Sequence, residues 1–213
     1  MKSFLIIGMG RFAHYLCREL AALGNEIVIA DTDEDRMSDL LDYVVSAKIG
    51  DCTRREVLSS FGVGNFDACF VCIGSNFQNS LQVTDLLKEL GAVHVISRAT
   101  TDIHAKFLLR SGADEVVFPD RDMSERIAVR ASNDSIFDYF ELSEDLAVYE
   151  ISVPHRWLGR TIAEVNVRAK YRVSILAYKQ DGHMYTISSP NYRFVETEHL
   201  MVLGTREDVE RLV

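Results

Sequence analysis

Between Phe4 and Leu16 the chain runs "FLIIGMGRFAHYL", and the glycine turn inside this stretch limits the fold more than any other segment. The spacing Gly8-x-Gly10-x-x-Ala13 follows an apolar run and opens a segment of helical periodicity, the setting in which such a turn holds a dinucleotide or nucleotide. Each residue has a physical reason to be there. Gly8 permits the tight turn, Gly10 lets the backbone approach a diphosphate, and small Ala13 lets the helix lie close on the strand. The free N–H groups at the start of the helix, with their partial positive charge, favour phosphate. Arg11 and Phe12 complete the turn, and Arg11 puts a permanent positive charge where a terminal phosphate would reach.

The rest of the first half repeats the rhythm. "NEIVIAD", "VVSAKIGD", "DACFVCIG", "HVISRAT" and "DEVVFP" read as strands, and "DEDRMSDLLD", "REVLSSFG", "NSLQVTDLLKELG" and "DIHAKFLLRSG" as helices between them. Short, near-continuous apolar strands alternating with amphipathic helices predict an α/β fold, a Rossmann-like doubly wound parallel sheet covered on both faces. Asp31 ends the second strand, about 20 residues past the glycines, where a carboxylate accepts hydrogen bonds from a ribose diol and repels a 2′-phosphate.

Ligands of such sheets sit outside the carboxyl ends of the strands. The segments that follow the third and fourth strands, Gly50-Asp51-Cys52-Thr53 and Ile73-Gly74-Ser75-Asn76, are therefore candidates to line the same pocket. Arg98 interrupts an otherwise apolar fifth strand, and a buried arginine needs an anionic partner. Bound phosphate and a local carboxylate both satisfy that need.

From about residue 122 the rhythm changes. "DMSERIAVRASN" and "SIFDYFEL" read as two successive helices, the second apolar enough to pack between domains or against another subunit. Beyond them come the strand "LAVYEISVP", a short helix "TIAEVNVRAK", a hairpin in "RVSILAYKQDGHMYTISSP" turning at Asp181-Gly182, the strand "HLMVLG" and a last helix "REDVERLV". The predicted domains are 1–142 and 143–213, the second a small α+β lobe.

Composition excludes several functions. At 213 residues and 47% hydrophobic the chain can bury a substantial core, and its net charge of −9 has the wrong sign for a phosphate backbone or an anionic membrane. Nucleic acid is not an expected partner. No apolar run approaches the roughly 20 residues of a membrane span, and "MKS" leads straight into a strand, so the expected location is cytoplasmic. The four cysteines show no disulfide framework. Cys69 and Cys72 have redox or zinc spacing, yet on a strand they point to opposite faces and read as buried thiols. The six histidines are scattered, and neither a nucleophile elbow nor a lysine-bearing phosphate loop is present, so no catalytic residue is assigned.

Taken together, "IGMGRFA", "GDCT", "CIGSN", "FPDRDMSERIA", "DYFELSEDLAVYEI", "VNVRAKYRVSILA" and "MVLGTREDVERL" resemble, over nearly the whole chain, the cytosolic RCK regulatory subunits of bacterial potassium uptake systems, the KtrA/TrkA type. The resemblance implies an N-terminal lobe that binds ATP, ADP or NAD(H), a crossover helix, and a small C-terminal lobe. It also implies dimers assembling into an octameric ring under a membrane potassium transporter, whose ion flux the protein gates. By position, the family's phosphate-contacting arginine is Arg11, its ribose acid Asp31 and its basic residue on the fifth strand Arg98. Asp120 stands where the family has a glutamate that helps hold a divalent cation, Mg2+ or Ca2+, near the phosphates. The stretch by which some members bind cyclic di-AMP reads "VNVRAKYR" here, with Arg172 where the family often has glycine. A small NAD-dependent oxidoreductase and a cyclic di-AMP sensor remain as alternative functions.

Overall fold

Alternation along "FLII" sends Leu5 and Ile7 to one face of a sheet and Ile6 to the other, and each face is covered by helices. The computed structural model describes residues 1–143 and 145–213, which fall into two units, Met1–Asp120 and Arg121–Val213.

In the first unit the elements are β1 (Ser3–Ile7), α1 (Arg11–Ala22), β2 (Glu26–Asp31), β3 (Ser46–Ile49), α2 (Arg55–Ser59), β4 (Ala68–Val71), α3 (Phe77–Glu89), β5 (Val95–Arg98), α4 (Asp102–Arg110) and β6 (Glu115–Val117). The strands pair in parallel in the order β3-β2-β1-β4-β5-β6. The order reverses between β1 and β4, which opens a crevice at their carboxyl ends. On one face Leu5, Ile7 and Val71 pack with Leu58, Val83 and Leu87; on the other Ile6, Ile27 and Ile29 pack with Ala13, Cys17 and Leu40. Burying each of the larger side chains contributes about 1.5–3 kcal/mol. Cys69 belongs to the first cluster and Cys72 to the second, as the strand period requires.

The stretch "DEDRMSDLLD" differs from the expected helix. It forms two 3-10 segments, Glu34–Arg36 and Ser38–Tyr43. Local polar bonds compete with the α-helical ladder: the Asp33 carboxylate accepts from the Asp35 amide and the Ser38 hydroxyl donates to the Asp35 carbonyl.

α5 (Pro119–Ser132) leaves the first unit, and the second continues with β7 (Ile136–Ser143), β8 (Leu146–Ser152), α6 (Ile162–Val165), α7 (Val167–Tyr171), β9 (Ser174–Gln180), β10 (His183–Thr186), β11 (His199–Gly204) and α8 (Arg206–Glu210). Its strands form an antiparallel sheet in the order β10-β9-β11-β8-β7 over a core centred on Tyr149, Trp157, Phe194 and Leu200. Here "SIFDYFEL", expected as a second helix, is the edge strand β7. A short apolar run carries no decisive period, and its aromatic residues favour a pleated surface. Tyr139 pairs across the ladder with Tyr149, ring centroids 5.2 Å apart, and two Arg126 hydrogen bonds of 2.7 and 2.6 Å hold Asp138.

"TIAEVNVRAK" is also not one helix, because Asn166 adopts φ 53° between α6 and α7. Arg172 ends α7 at φ 59°, a left-handed conformation that explains the preference for glycine there. The hairpin between β9 and β10 turns at Asp181 and Gly182, both with positive φ, as expected.

Candidate functional site

At the carboxyl ends of β1, β2, β4 and β5 lies a cleft of about 1060 Å³. Gly8, Gly10, Arg11, Asp31, Asp51, Cys52, Thr53, Gly74 and Arg98 all line it, so residues spread over 91 positions meet in one place. Ala13 and Phe12 lie outside that lining and pack into the core beneath α1. Asp120 also lies outside it and reaches the site through Arg98.

The two glycines serve different ends. Gly8 has φ 88°, its amide donates to the Ala30 carbonyl at 2.9 Å, and a Cβ there would lie 2.9 Å from Ile73. Its requirement comes from the protein itself. Gly10 is extended, at φ −83° and ψ 178°, and a Cβ would meet no atom of the described residues within 4 Å. None of the described residues demands glycine at that position, whereas a phosphate laid on the backbone would. Gly10 provides no side-chain cap and the first turn of α1 carries no acid, so the helix start presents its amides without a carboxylate beside them.

Asp31 is 7% exposed and fixes the neighbouring loops. Its Oδ2 accepts the Met9 amide at 2.6 Å and its Oδ1 the Asp33 amide at 3.0 Å. A carboxylate offers about four lone-pair directions, so capacity remains for hydroxyl groups entering from the cleft. After β3, Asp51 Oδ1 accepts from both the amide and the hydroxyl of Thr53, at 3.0 and 2.7 Å. Those two bonds, the hydroxyl's first, hold the carboxyl below its usual range. Burial, then the charges of Asp51 and Asp31, pushes the Cys52 thiol up to about 12, so Cys52 shapes the wall as a neutral group.

After β4, Gly74 makes room for Arg98: a Cβ there would sit 2.6 Å from Arg98 Nη1. Arg98 Nη2 donates to Asp120 Oδ2 at 2.6 Å. Of the two partners its sequence position left open, the local carboxylate is present.

The lining also includes His14, Tyr15, Arg18, Arg36, Asp39 and Asn79, which sequence reading left out. Two were findable. Tyr15 and Arg18 recur at helical spacing on the face of α1 that carries Arg11. His14, one of the six scattered histidines, bonds through Nε2 to the Arg36 carbonyl at 2.7 Å, and Arg18 Nη2 donates to Asp39 Oδ2 at 2.8 Å. Arg36 and Asp39 come from the 3-10 segments, whose course no periodicity revealed. The lining gathers Arg11, Arg18, Arg36 and Arg98 against Asp31, Asp39 and Asp51, a balance opposite to the chain's net −9. Such a cleft attracts an anionic ligand with a sugar hydroxyl pair.

Comparison with known proteins places these features. Residues 4–119 match the TrkA-N domain and 146–213 the TrkA-C domain. The chain is 37% identical over 210 residues to "Ktr system potassium uptake protein C" of Bacillus subtilis (strain 168), covering 99% of this chain and 95% of that protein. It is 33% identical to "Ktr system potassium uptake protein A" of the same organism, with the same coverage. Among solved structures it is similar in fold to the "GsuK channel bound to NAD", with a TM-score of 0.66 at 19% identity over 99% of this chain; it spans 38% of that longer chain.

Proposed function

The chain belongs to the TrkA-N/TrkA-C family, the RCK proteins of potassium transport, and from that premise we propose how it works as the regulatory subunit of a Ktr potassium uptake system. It acts by binding and carries out no reaction, as its relatives are uptake-system components and not enzymes. The ligand of the cleft is an adenine nucleotide, ATP/ADP or NAD(H). The observation that carries this is Gly10, a glycine that no atom of the described residues requires, placed at the uncapped start of α1 and in the same cleft as Asp31.

The diphosphate lies on the glycine turn and the first amides of α1, the ribose hydroxyls donate to Asp31, and Arg11 and Arg98 face the phosphates. Protein groups alone give a divalent cation no site among the described residues. Asp120 gives its carboxylate to Arg98, and the described residues include no group of three His, Cys, Asp or Glu able to hold a metal ion.

No helix among the described residues is long and apolar enough to cross a membrane. The subunit works at the inner face of the membrane by docking, as a homo-oligomer of dimers forming an octameric ring, on a potassium transporter subunit. Phe140 and Leu142, exposed on the edge strand β7, are apolar surface of the kind such contacts cover. Mass spectrometry of the nucleotide that co-purifies with the protein tests the ligand, and recovery of no adenine nucleotide, together with no melting shift from any of the four, overturns it. Light scattering at micromolar concentration tests the assembly; a monomeric mass with nucleotide present contradicts it.

A further inference from the structure

Both ring nitrogens of His14, the histidine in the lining of the cleft, face oxygen atoms. Nε2 lies 2.7 Å from the Arg36 carbonyl, which can only accept, so this nitrogen carries a proton. Nδ1 lies 3.5 Å from Asp39 Oδ2, the same oxygen that takes the Arg18 Nη2 bond at 2.8 Å. A neutral imidazole has one N–H and meets one of these oxygens; an imidazolium meets both. The side chain is 26% exposed, so protons reach it from solvent.

The position of His14 on α1 gives the second proton a consequence. Its amide donates to the Gly10 carbonyl at 3.1 Å, which sets the residue one turn beyond the bare glycine, with its Cα–Cβ bond tilted back toward that end of the helix. The charged groups around the ring are Arg11 and Arg18 on its own helix, Asp31 at the end of β2, and Arg36 and Asp39 from the 3-10 segments; Asp33 Oδ2 lies 3.3 Å from Arg36 Nε. The four arginines and three aspartates of the lining leave a formal balance of +1, which a proton on His14 raises to +2. Histidine is the side chain that changes charge between about pH 5 and pH 8.

We infer that His14 makes the phosphate affinity of the cleft depend on pH: its imidazolium, held between the Arg36 carbonyl and Asp39, adds a positive charge beside the Gly10 turn, and the neutral ring does not. This rests on the nucleotide reading above and deepens it with a residue that links ligand affinity to protons. The linkage is reciprocal, so a bound phosphate favours the imidazolium by the factor by which the proton favours the phosphate. Affinity for NAD+, whose diphosphate has no proton that titrates in this range, should be roughly two- to fivefold tighter at about pH 6 than at about pH 8, the scale of one part-exposed charge. His14→Gln keeps an N–H for the Arg36 carbonyl and gains no charge, and should bind at both values as the parent does at about pH 8. His14→Lys is charged throughout and should bind at both as the parent does at about pH 6. Adenosine, with no phosphate, should show no slope.

The experiment is calorimetric titration of the full-length protein and the two variants with NAD+ and with adenosine at both pH values, repeated at about pH 7 in two buffers of different ionisation enthalpy to count protons taken up. Uptake is expected in the parent and in neither variant. ADP, whose terminal phosphate itself gains a proton in this range, is titrated alongside, and there the parent is compared with His14→Gln at each pH. A parent whose affinity does not change with pH overturns the inference, and so does a slope that survives in His14→Gln. An equal slope with adenosine overturns it as well, since the proton then acts on the cleft and not on the phosphates. In these cases the nucleotide site stands. If the parent binds neither NAD+ nor any other adenine nucleotide at either pH, the nucleotide reading itself has failed, and the proton linkage with it.

Discussion

The backbone amide of Met9 donates to Asp31 Oδ2 at 2.6 Å, tying the middle of the glycine turn to the end of the neighbouring strand. The acid that we propose for the ribose is therefore also a support of the loop that we propose for the phosphates. A buried hydrogen bond to a charged group contributes about 1.5–3 kcal/mol. Asp31→Ala should lower stability by roughly that amount, since it leaves a buried amide unpaired.

The proposed ribose contact makes the same acid the expected determinant of nucleotide choice. A ligand at 100 times its dissociation constant adds about 2.7 kcal/mol of stability, which is readily seen in a thermal melt. NAD(H), ATP or ADP should raise the melting temperature, and NADP(H) far less, because its 2′-phosphate meets the Asp31 carboxylate. Equal shifts from NAD and NADP would remove Asp31 from this role.

Gly8 and Gly10 should part company under the same substitution. Gly8→Ala forces a side chain into a left-handed backbone and against Ile73, and should destabilise the fold by about 1–3 kcal/mol. Gly10→Ala places its methyl in open space on an extended backbone and should leave stability unchanged or raise it by about 0.4–1 kcal/mol, while nucleotide affinity falls. Melts without ligand and titrations with it separate the two effects; a Gly10→Ala protein with unaltered affinity would show that no phosphate passes there.

Arg11 opens α1 at the cleft, where ATP and ADP would differ by their terminal phosphate. A ligand shifts a conformational equilibrium only through its difference in affinity between states. Arg11→Ala should still bind adenine nucleotide through Asp31 and the glycine turn but lose the ATP/ADP difference in potassium flux, measured with the transporter in liposomes. An unchanged flux ratio transfers the role to Arg98.

His104 introduces a pH dependence. It is 1% exposed, Nε2 lies 3.2 Å from Ser80 Oγ, and burial depresses its pKa below 6.5. As the unfolded chain takes up this proton before the folded one, stability falls as pH drops through that value. Melting temperature should decline between about pH 7.5 and about pH 5.5, and less steeply in His104→Gln. Parallel slopes would assign the effect to other groups.

How far the sequence could be read depended on where the determining contact lay. Leu5, Ile6 and Ile7 declare their faces by simple alternation, and Asp181-Gly182 declares a turn by its conformational demand, so the parallel sheet and the last hairpin were both legible. "IFDYF" was not. Whether those residues coil or extend is decided by the partner strand β8 and by Tyr149, ten residues beyond Tyr139. Asn166 looked like an ordinary helix residue, because only the assembled lobe shows that it takes a left-handed turn. Within the cleft, residues at strand ends could be read from topology, and those supplied by the 3-10 segments, Arg36 and Asp39, could not.

The four cysteines bear on how such experiments can be done. Cys17, Cys52, Cys69 and Cys72 are all buried, and burial raises the first to about 11 and the others to about 12. None offers an accessible thiolate at neutral pH, and alkylating reagents react with thiolates. The natural thiols are thus expected to react far more slowly with maleimides than an exposed one, so that a single cysteine introduced on the surface near the start of α5 would take up a fluorophore or spin label selectively, without prior removal of the natural thiols.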